Sequence, residues 1–418
     1  MLSTPKGMRL HIGIFGRRNA GKSSLFNRLL GQECAIVSSQ PGTTTDPIEK
    51  AMELDPLGPV LLMDTAGIDD EGMLGELRVQ KTQHLFDRID MAILVIDEWT
   101  AHDQALVDLF AKRKVPAIVA CNKADLRPDR TLEKTVKAAV TLEVVTVSAG
   151  SGDGLDPLRD AIIRNAPEEF CTPPTILGDL IPPGGLVILV TPIDKEAPKG
   201  RLILPQVQVL RDILDNDAYA LVVKERELAP ALQTLKTPPA LVVTDSQAFL
   251  KVSADIPKEI PLTSFSILFA RYRGDLIAMT KGAAAIRTLK PGARILIAEA
   301  CAHHAITDDI GRVKIPRWIE QYTGGHMEFV HYSGQDFPGD LDSFDLIIHC
   351  GGCIINRQTL LRRIQKAHAQ AVPLTNYGLA ISCCMGIIER ALQPFPAALR
   401  VWQSAKTGGK TPAAGTPS

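Results

Sequence analysis

With 418 residues and 45% apolar side chains, the chain is long enough for about two to three domains, each with its own core. A formal net charge of −1, with basic and acidic residues evenly mixed, leaves no electrostatic footprint for nucleic acid or an anionic membrane, so neither partner is expected. No apolar run reaches the roughly 18 residues of a membrane span and the first residues lack a secretory pattern, so the expected location is cytoplasmic. There, eight cysteines are too sparse for a disulfide scaffold, and paired ones point to metal binding or catalysis.

Residues 8–170 alternate apolar runs (LHIGIF, VLLMDT, MAILVID, PAIVACN, LEVVTV) with amphipathic stretches, the pattern of an α/β domain with a parallel sheet and flanking helices. Proline and glycine crowd CTPPTILGDLIPPGG, which reads as an irregular linker. The short β-branched runs LVILVTPI, AYALVV and PALVV predict a small α/β domain over 175–261. From Leu262, a helical stretch leads into ARILIAEA, MEFVHY, DLIIHC and PLTNYG, which predicts a third α/β domain over 262–403. Residues 404–418 lack bulky apolar side chains and are expected to be a disordered tail. No internal repeat of fixed period is read.

The first domain carries a nucleotide signature. After LHIGIF comes Gly16-Arg17-Arg18-Asn19-Ala20-Gly21-Lys22-Ser23-Ser24, a G-x-x-x-x-G-K-[ST] loop in the strand–loop–helix context it needs. Its glycines let backbone N–H groups wrap phosphates, Lys22 reaches the β and γ phosphates, and Ser23 offers a hydroxyl to Mg2+. Asp64 ends the run PVLLM, where a carboxylate holds Mg2+ through water, and Gly67 is placed to meet the γ phosphate. Asn122-Lys123-Ala124-Asp125 follows PAIVAC, and Asp125 can accept both guanine N–H donors, so the base is guanine and the ligand GTP. Ser148 and Ala149 follow the last strand and back up the base.

These four elements resemble the TrmE/Era-type GTPases. The resemblance makes Thr44, in Pro41-Gly42-Thr43-Thr44, the Mg2+-contacting hydroxyl of the first switch, and Asn19 the ligand of a K+ that replaces an arginine finger. Lys22, Thr44, Asp64 and Gly67 are then the catalytic set. Ile68 stands where Ras-type enzymes carry a water-positioning Gln, so slow turnover is expected.

Five of the eight cysteines lie after residue 300. Cys301-Ala302-His303 ends one apolar run and His349-Cys350-Gly351-Gly352-Cys353 ends another, so two ligand groups follow two strand ends of one α/β unit, where open sheets bind ligands. Three thiolates with His303 or His349 suit a Cys3His zinc site or an iron–sulfur cluster. Cys383 and Cys384 read as core residues of a helix, and Cys34, Cys121 and Cys171 as ordinary packed thiols.

Joined to the nucleotide domain, this spacing resembles the HydF family of [FeFe]-hydrogenase maturation GTPases over nearly the whole chain. The resemblance implies a [4Fe–4S] cluster on Cys301, Cys350 and Cys353 with an exchangeable fourth position, which His303, His349 or a carboxylate fills. It also implies a homodimer through the middle domain, two radical-SAM maturases as partners, and a diiron precursor carried to apo-hydrogenase. The competing reading is an RNA- or ribosome-associated GTPase with a structural zinc, which the near-neutral charge and 5% aromatic content disfavour.

Overall fold

The computed structural model describes residues 4–31, 48–65, 85–127, 129–171, 174–192, 202–300, 309–334, 337–352 and 354–407. The chain divides into two compact units between residues 173 and 174. In the first, β1 (Leu10–Phe15) leads into helix α1 (Lys22–Gly31), followed by β2 (Ile48–Leu54), β3 (Gly58–Asp64) and β4 (Met91–Ile96). Helix α2 (Ala101–Arg113), β5 (Ala117–Cys121), α3 (Thr131–Ala139), β6 (Glu143–Thr146) and α4 (Leu155–Asn165) complete it. The strand order is β2-β3-β1-β4-β5-β6, with only β2 antiparallel to its neighbour.

The central strands read as continuous apolar runs because both faces are covered. Along β4, Met91, Ile93 and Val95 enter one core while Ala92, Leu94 and Ile96 enter the other. That is the two-residue period of a strand. On the second face Phe15, Phe86 and Phe110 pack together with ring centroids 5.2 to 5.6 Å apart.

The second unit holds two four-stranded parallel sheets around one continuous core that runs from Ile176 to Trp402. The first sheet comprises β7 (Leu186–Val190), β8 (Tyr219–Val223), β9 (Leu241–Thr244) and β10 (Leu262–Ser264), ordered β10-β9-β7-β8. Its helices are α5 (Leu204–Asp215), α6 (Leu228–Thr234), α7 (Phe249–Asp255) and α8 (Phe265–Arg273). After α9 (Leu276–Ala285) the second sheet begins, with β11 (Arg294–Glu299), β12 (Glu328–Ser333), β13 (Leu346–His349) and β14 (Leu374–Asn376). Its helices are α10 (Ile315–Thr323), α11 (Arg357–Ala369) and α12 (Tyr377–Cys384), and α13 (Pro396–Thr407) closes the described chain.

The second sheet is ordered β12-β11-β13-β14. Reversed and renumbered, this is the order of the first sheet. The equivalence extends to detail: Val242 donates to the Pro261 carbonyl and Ile347 to the Pro373 carbonyl, both at 2.9 Å. Ser264 and Asn376 then cap the helices that follow, accepting from Ile267 and Leu379. The second unit is therefore an internal repeat, which the sequence reading missed. Pro261-Leu262-Thr263-Ser264-Phe265 and Pro373-Leu374-Thr375-Asn376-Tyr377 are its most legible trace.

Three expected boundaries shift. Strand β10 pairs with β9, so residues from Leu262 through α8 belong with the first sheet and not with a domain starting at 262. Within the expected linker, Ile176, Leu177 and Ile181 join the core, and the Asp212 carboxylate accepts from the N–H groups of Ile176, Leu177 and Gly178. Helix α13 runs to Thr407, into the stretch expected to be disordered.

Candidate functional site

The phosphate loop lies between β1 and α1, and glycine is required at two of its positions for reasons other than the phosphate. Gly16 has φ +137° and a Cβ there would sit 2.0 Å from the Val95 carbonyl oxygen. Gly21 has φ +97° and its Cβ would meet Asn122 Nδ2 at 2.1 Å. Asn19 also adopts a left-handed conformation, φ 64°. Lys22 is buried at the start of α1, where its Nζ donates to the carbonyls of Gly16 and Arg17. Ser23 and Ser24 follow in the exposed first turn.

The other expected residues converge on this loop. Ser23 Oγ donates to Asp64 Oδ2 at 2.7 Å, which places side by side the hydroxyl and carboxylate expected to hold Mg2+. Asn122 bridges two loops: its Nδ2 donates to Ala20 O at 2.8 Å and its Oδ1 accepts from Ala149 N at 2.9 Å. Ser148 Oγ donates to Asp125 Oδ1 at 2.6 Å, holding the last carboxylate of the Asn122–Asp125 motif. Thr44 and Gly67 lie outside the described residues.

Three participants escaped the sequence reading. Arg28, on α1, donates to the carbonyls of Ala149 and Gly150 and latches the base loop to the phosphate-loop helix. Arg17 pairs with Glu98 at 2.6 Å and reaches Asp97 and the fully buried Asp103 at 3.6 Å. Asp97 also accepts from Lys123 Nζ at 2.7 Å, so one carboxylate joins the phosphate loop to the base motif. Burial works to raise the Asp97 carboxyl, but the hydrogen bond and charge of Lys123, with Arg17, hold it below the ordinary range.

In the second unit, β11 and β13 are adjacent and in register, with Ala298 opposite His349. Chain order reverses between them, since β11 continues outward to β12 and β13 to β14. This is a topological switch point, the crevice at which open α/β sheets take ligands. Cys350 occupies it. Its Sγ accepts from Ala300 N at 3.1 Å and Gly352 N at 3.4 Å, an arrangement that suits a thiolate and hence a metal or cluster ligand. Gly352, at φ +63°, supplies the second donor from a conformation that favours glycine.

His349 behaves differently from expectation. It is fully buried, and Arg363 Nη1 lies 2.9 Å from its Nε2 while its Nδ1 lies 2.7 Å from Cys350 O. A guanidinium can only donate, so Nε2 accepts and Nδ1 carries the proton. Burial, reinforced by the Arg363 charge, pushes its pKa down to about 3, so the ring is neutral. Both nitrogens are thus engaged within the protein.

Cys301, His303 and Cys353 lie outside the described residues. Among the described residues no group of three or more His, Cys, Asp or Glu gathers as a metal site. Cys383 is buried in α12 with its thiol pushed up to about 11 by burial, and Cys121 is likewise buried, both ordinary core thiols. Cys171 is exposed, contrary to its reading as a packed thiol.

Fold and site together define a P-loop GTPase followed by a repeated α/β unit with a cysteine loop at a sheet switch point. Family models sharpen this. The hydrogen maturase F dimerization domain matches residues 176–274, the hydrogen maturase F tetramerization domain 277–394, and a 50S ribosome-binding GTPase model 11–123. The chain belongs to the hydrogen maturase F (HydF) family. The two maturase matches divide between α8 and α9, where the structure places the boundary between repeats.

The chain is also similar to the tRNA modification GTPase MnmE of Heliobacterium modesticaldum, 38% identical over 187 residues, or 43% of this chain and 37% of that protein. GTPase Der of Wolinella succinogenes is 36% identical over 167 residues, 37% of this chain and 35% of Der. MnmE of Clostridioides difficile is 34% identical over 151 residues, 36% and 33% respectively. The chain thus spans about a third of the length of these relatives.

Proposed function

We propose that this HydF-family GTPase is a scaffold and carrier in [FeFe]-hydrogenase maturation. It binds GTP with Mg2+ and hydrolyses it slowly, and its second unit holds a [4Fe–4S] cluster on Cys301, Cys350 and Cys353. The observation that carries this reading is the Cys350 sulfur at the β11/β13 switch point, receiving two backbone N–H groups. Such a cluster supplies an iron whose fourth position stays exchangeable, the property a scaffold needs. With both nitrogens of His349 engaged, His303 or a carboxylate is the residue-borne candidate for that position. Glu299, at the end of β11, already accepts from Tyr377 and Ser333.

In the nucleotide site, Lys22 exchanges its loop carbonyls for the β and γ phosphates, Ser23 and Asp64 hold the metal side, and Asp125, fixed by Ser148, takes both guanine donors. Thr44 and Gly67 complete the switches, and Asn19 serves as a K+ ligand. Partners on this reading are two radical-SAM maturases and apo-hydrogenase, with a second copy of the chain forming a homodimer and a diiron precursor as cargo.

Anaerobic purification and reconstitution with iron and sulfide test it. About four irons and four sulfides per chain, with GTP hydrolysis raised by K+, are expected. One tightly held zinc and no iron would overturn the cluster reading, and rates equal in Na+ and K+ would remove the Asn19 assignment.

A further inference from the structure

The loop from Cys350 to Cys353 has two glycines between its cysteines, and a Gly-Gly step has more backbone freedom to lose on ordering than any other. Something must hold it in one shape if two thiolates are to meet a metal together. The structure supplies two buried arginines, both 4% exposed, from two different helices. Arg273, the last residue of α8, donates from Nη1 to the Gly352 carbonyl at 2.8 Å. That carbonyl belongs to the peptide leading into Cys353. Arg363, on α11, donates to His349 Nε2, which fixes the tautomer whose Nδ1–H holds the Cys350 carbonyl. That carbonyl belongs to the peptide leading out of Cys350.

We infer that Arg273 and Arg363 form a clamp that pins the two ends of the Gly351–Gly352 step, making them positioning residues for the metal-binding loop. This rests on the cluster reading for its cargo but not for its geometry. Three observations argue against ordinary core packing. A buried guanidinium is costly, and two of them converge on one four-residue loop. Both act on the main chain or on a residue that acts on it, and neither contact uses the Cys350 sulfur. Arg273 comes from the first repeat and lies within the dimerization-domain match, while the loop belongs to the second. The metal site is therefore completed from outside its own repeat. Arg363 also lies over an aromatic ring, with its guanidinium carbon 5.0 Å from the Phe337 ring centroid. Beyond geometry, two cations near the loop favour a more reduced cluster.

The test compares full-length wild type with Arg273→Gln, Arg363→Gln, Arg273→Lys and Arg363→Lys, each reconstituted anaerobically. Three readouts are taken: midpoint potential of the cluster, rate of iron loss to a chelator, and apo-protein melting with GTPase rate. The Gln variants are expected to lose iron about tenfold faster. Their reduction equilibrium should shift about tenfold toward the oxidised form, or about 59 mV for one electron. Melting and GTP hydrolysis stay near wild type. The Lys variants restore the potential but not the slow release, because an ammonium lacks the planar fork. Iron loss and potential unchanged in the Gln variants would overturn the clamp. If the Gln variants fail to fold, the Lys pair decides, wild-type iron retention in both overturning it. A wild type that takes up zinc in place of a cluster sinks the cluster reading alone, and zinc release from the same variants then decides the clamp.

Discussion

Gly351 and Gly352 are neighbours that differ in what a side chain would cost. A Cβ on Gly351 meets nothing within 4 Å, whereas Gly352 sits at φ +63°. Gly351→Ala is expected to be near neutral, and Gly352→Ala to destabilise by about 1 kcal/mol and loosen metal retention, measured by thermal melting and chelator challenge. In the nucleotide site, Asp97→Asn removes the charge shared by Arg17 and Lys123. GDP affinity in a fluorescent-nucleotide titration should fall about tenfold with the melting temperature little changed. At this scale the sequence was most legible where chemistry is local. Gly16 through Ser23, Asn122, Asp125 and Ser148 announce themselves by spacing. Arg17 with Glu98 and Arg28 with Gly150 did not, because the partners lie 81 and 122 residues apart and surface arginines carry no sign of their contact.

Elements were legible in kind and less so in membership. The strands of the second unit were anticipated as apolar runs except β10, where a helical stretch was read from Leu262, and three residues, Leu262 to Ser264, do not say which sheet they join. Their pairing with β9 is a tertiary choice, set by the parallel register Leu262 opposite Val242. The repeat went unread because the two copies share topology and turn chemistry with little identity. It makes a prediction about equivalent caps. Ser264 accepts from Ile267 N at 3.3 Å, while Asn376 accepts from Leu379 N at 2.9 Å and also donates to Ser266 O at 2.9 Å. In chemical denaturation, Ser264→Ala should cost about 1 kcal/mol and Asn376→Ala about 2 kcal/mol. Equal costs would mean that the second bond contributes nothing.

For the whole molecule, the break between residues 173 and 174 separates the GTP chemistry from the cysteine loop. Expressed alone, 4–171 should hydrolyse GTP and 174–407 should fold and retain metal. By contrast, a fragment starting at 277 loses Arg273 with the first repeat and should release metal faster, a comparison made by metal content after gel filtration. The break between the units falls inside the proline-rich stretch read as a linker, but the shared core of the second unit was not legible, since apolar residues do not name their partners. The duplication also bears on the cysteine loop. Aligned through the equivalent strand residues Val242 and Ile347, Cys350 falls on Asp245 and Cys353 on Ala248, so the strand order with its switch point is present twice and the two cysteines belong to one copy. One strand order thus serves two copies whose chemistry differs in the residues that follow the third strand, and exchanging that short segment between copies leaves both sheets intact.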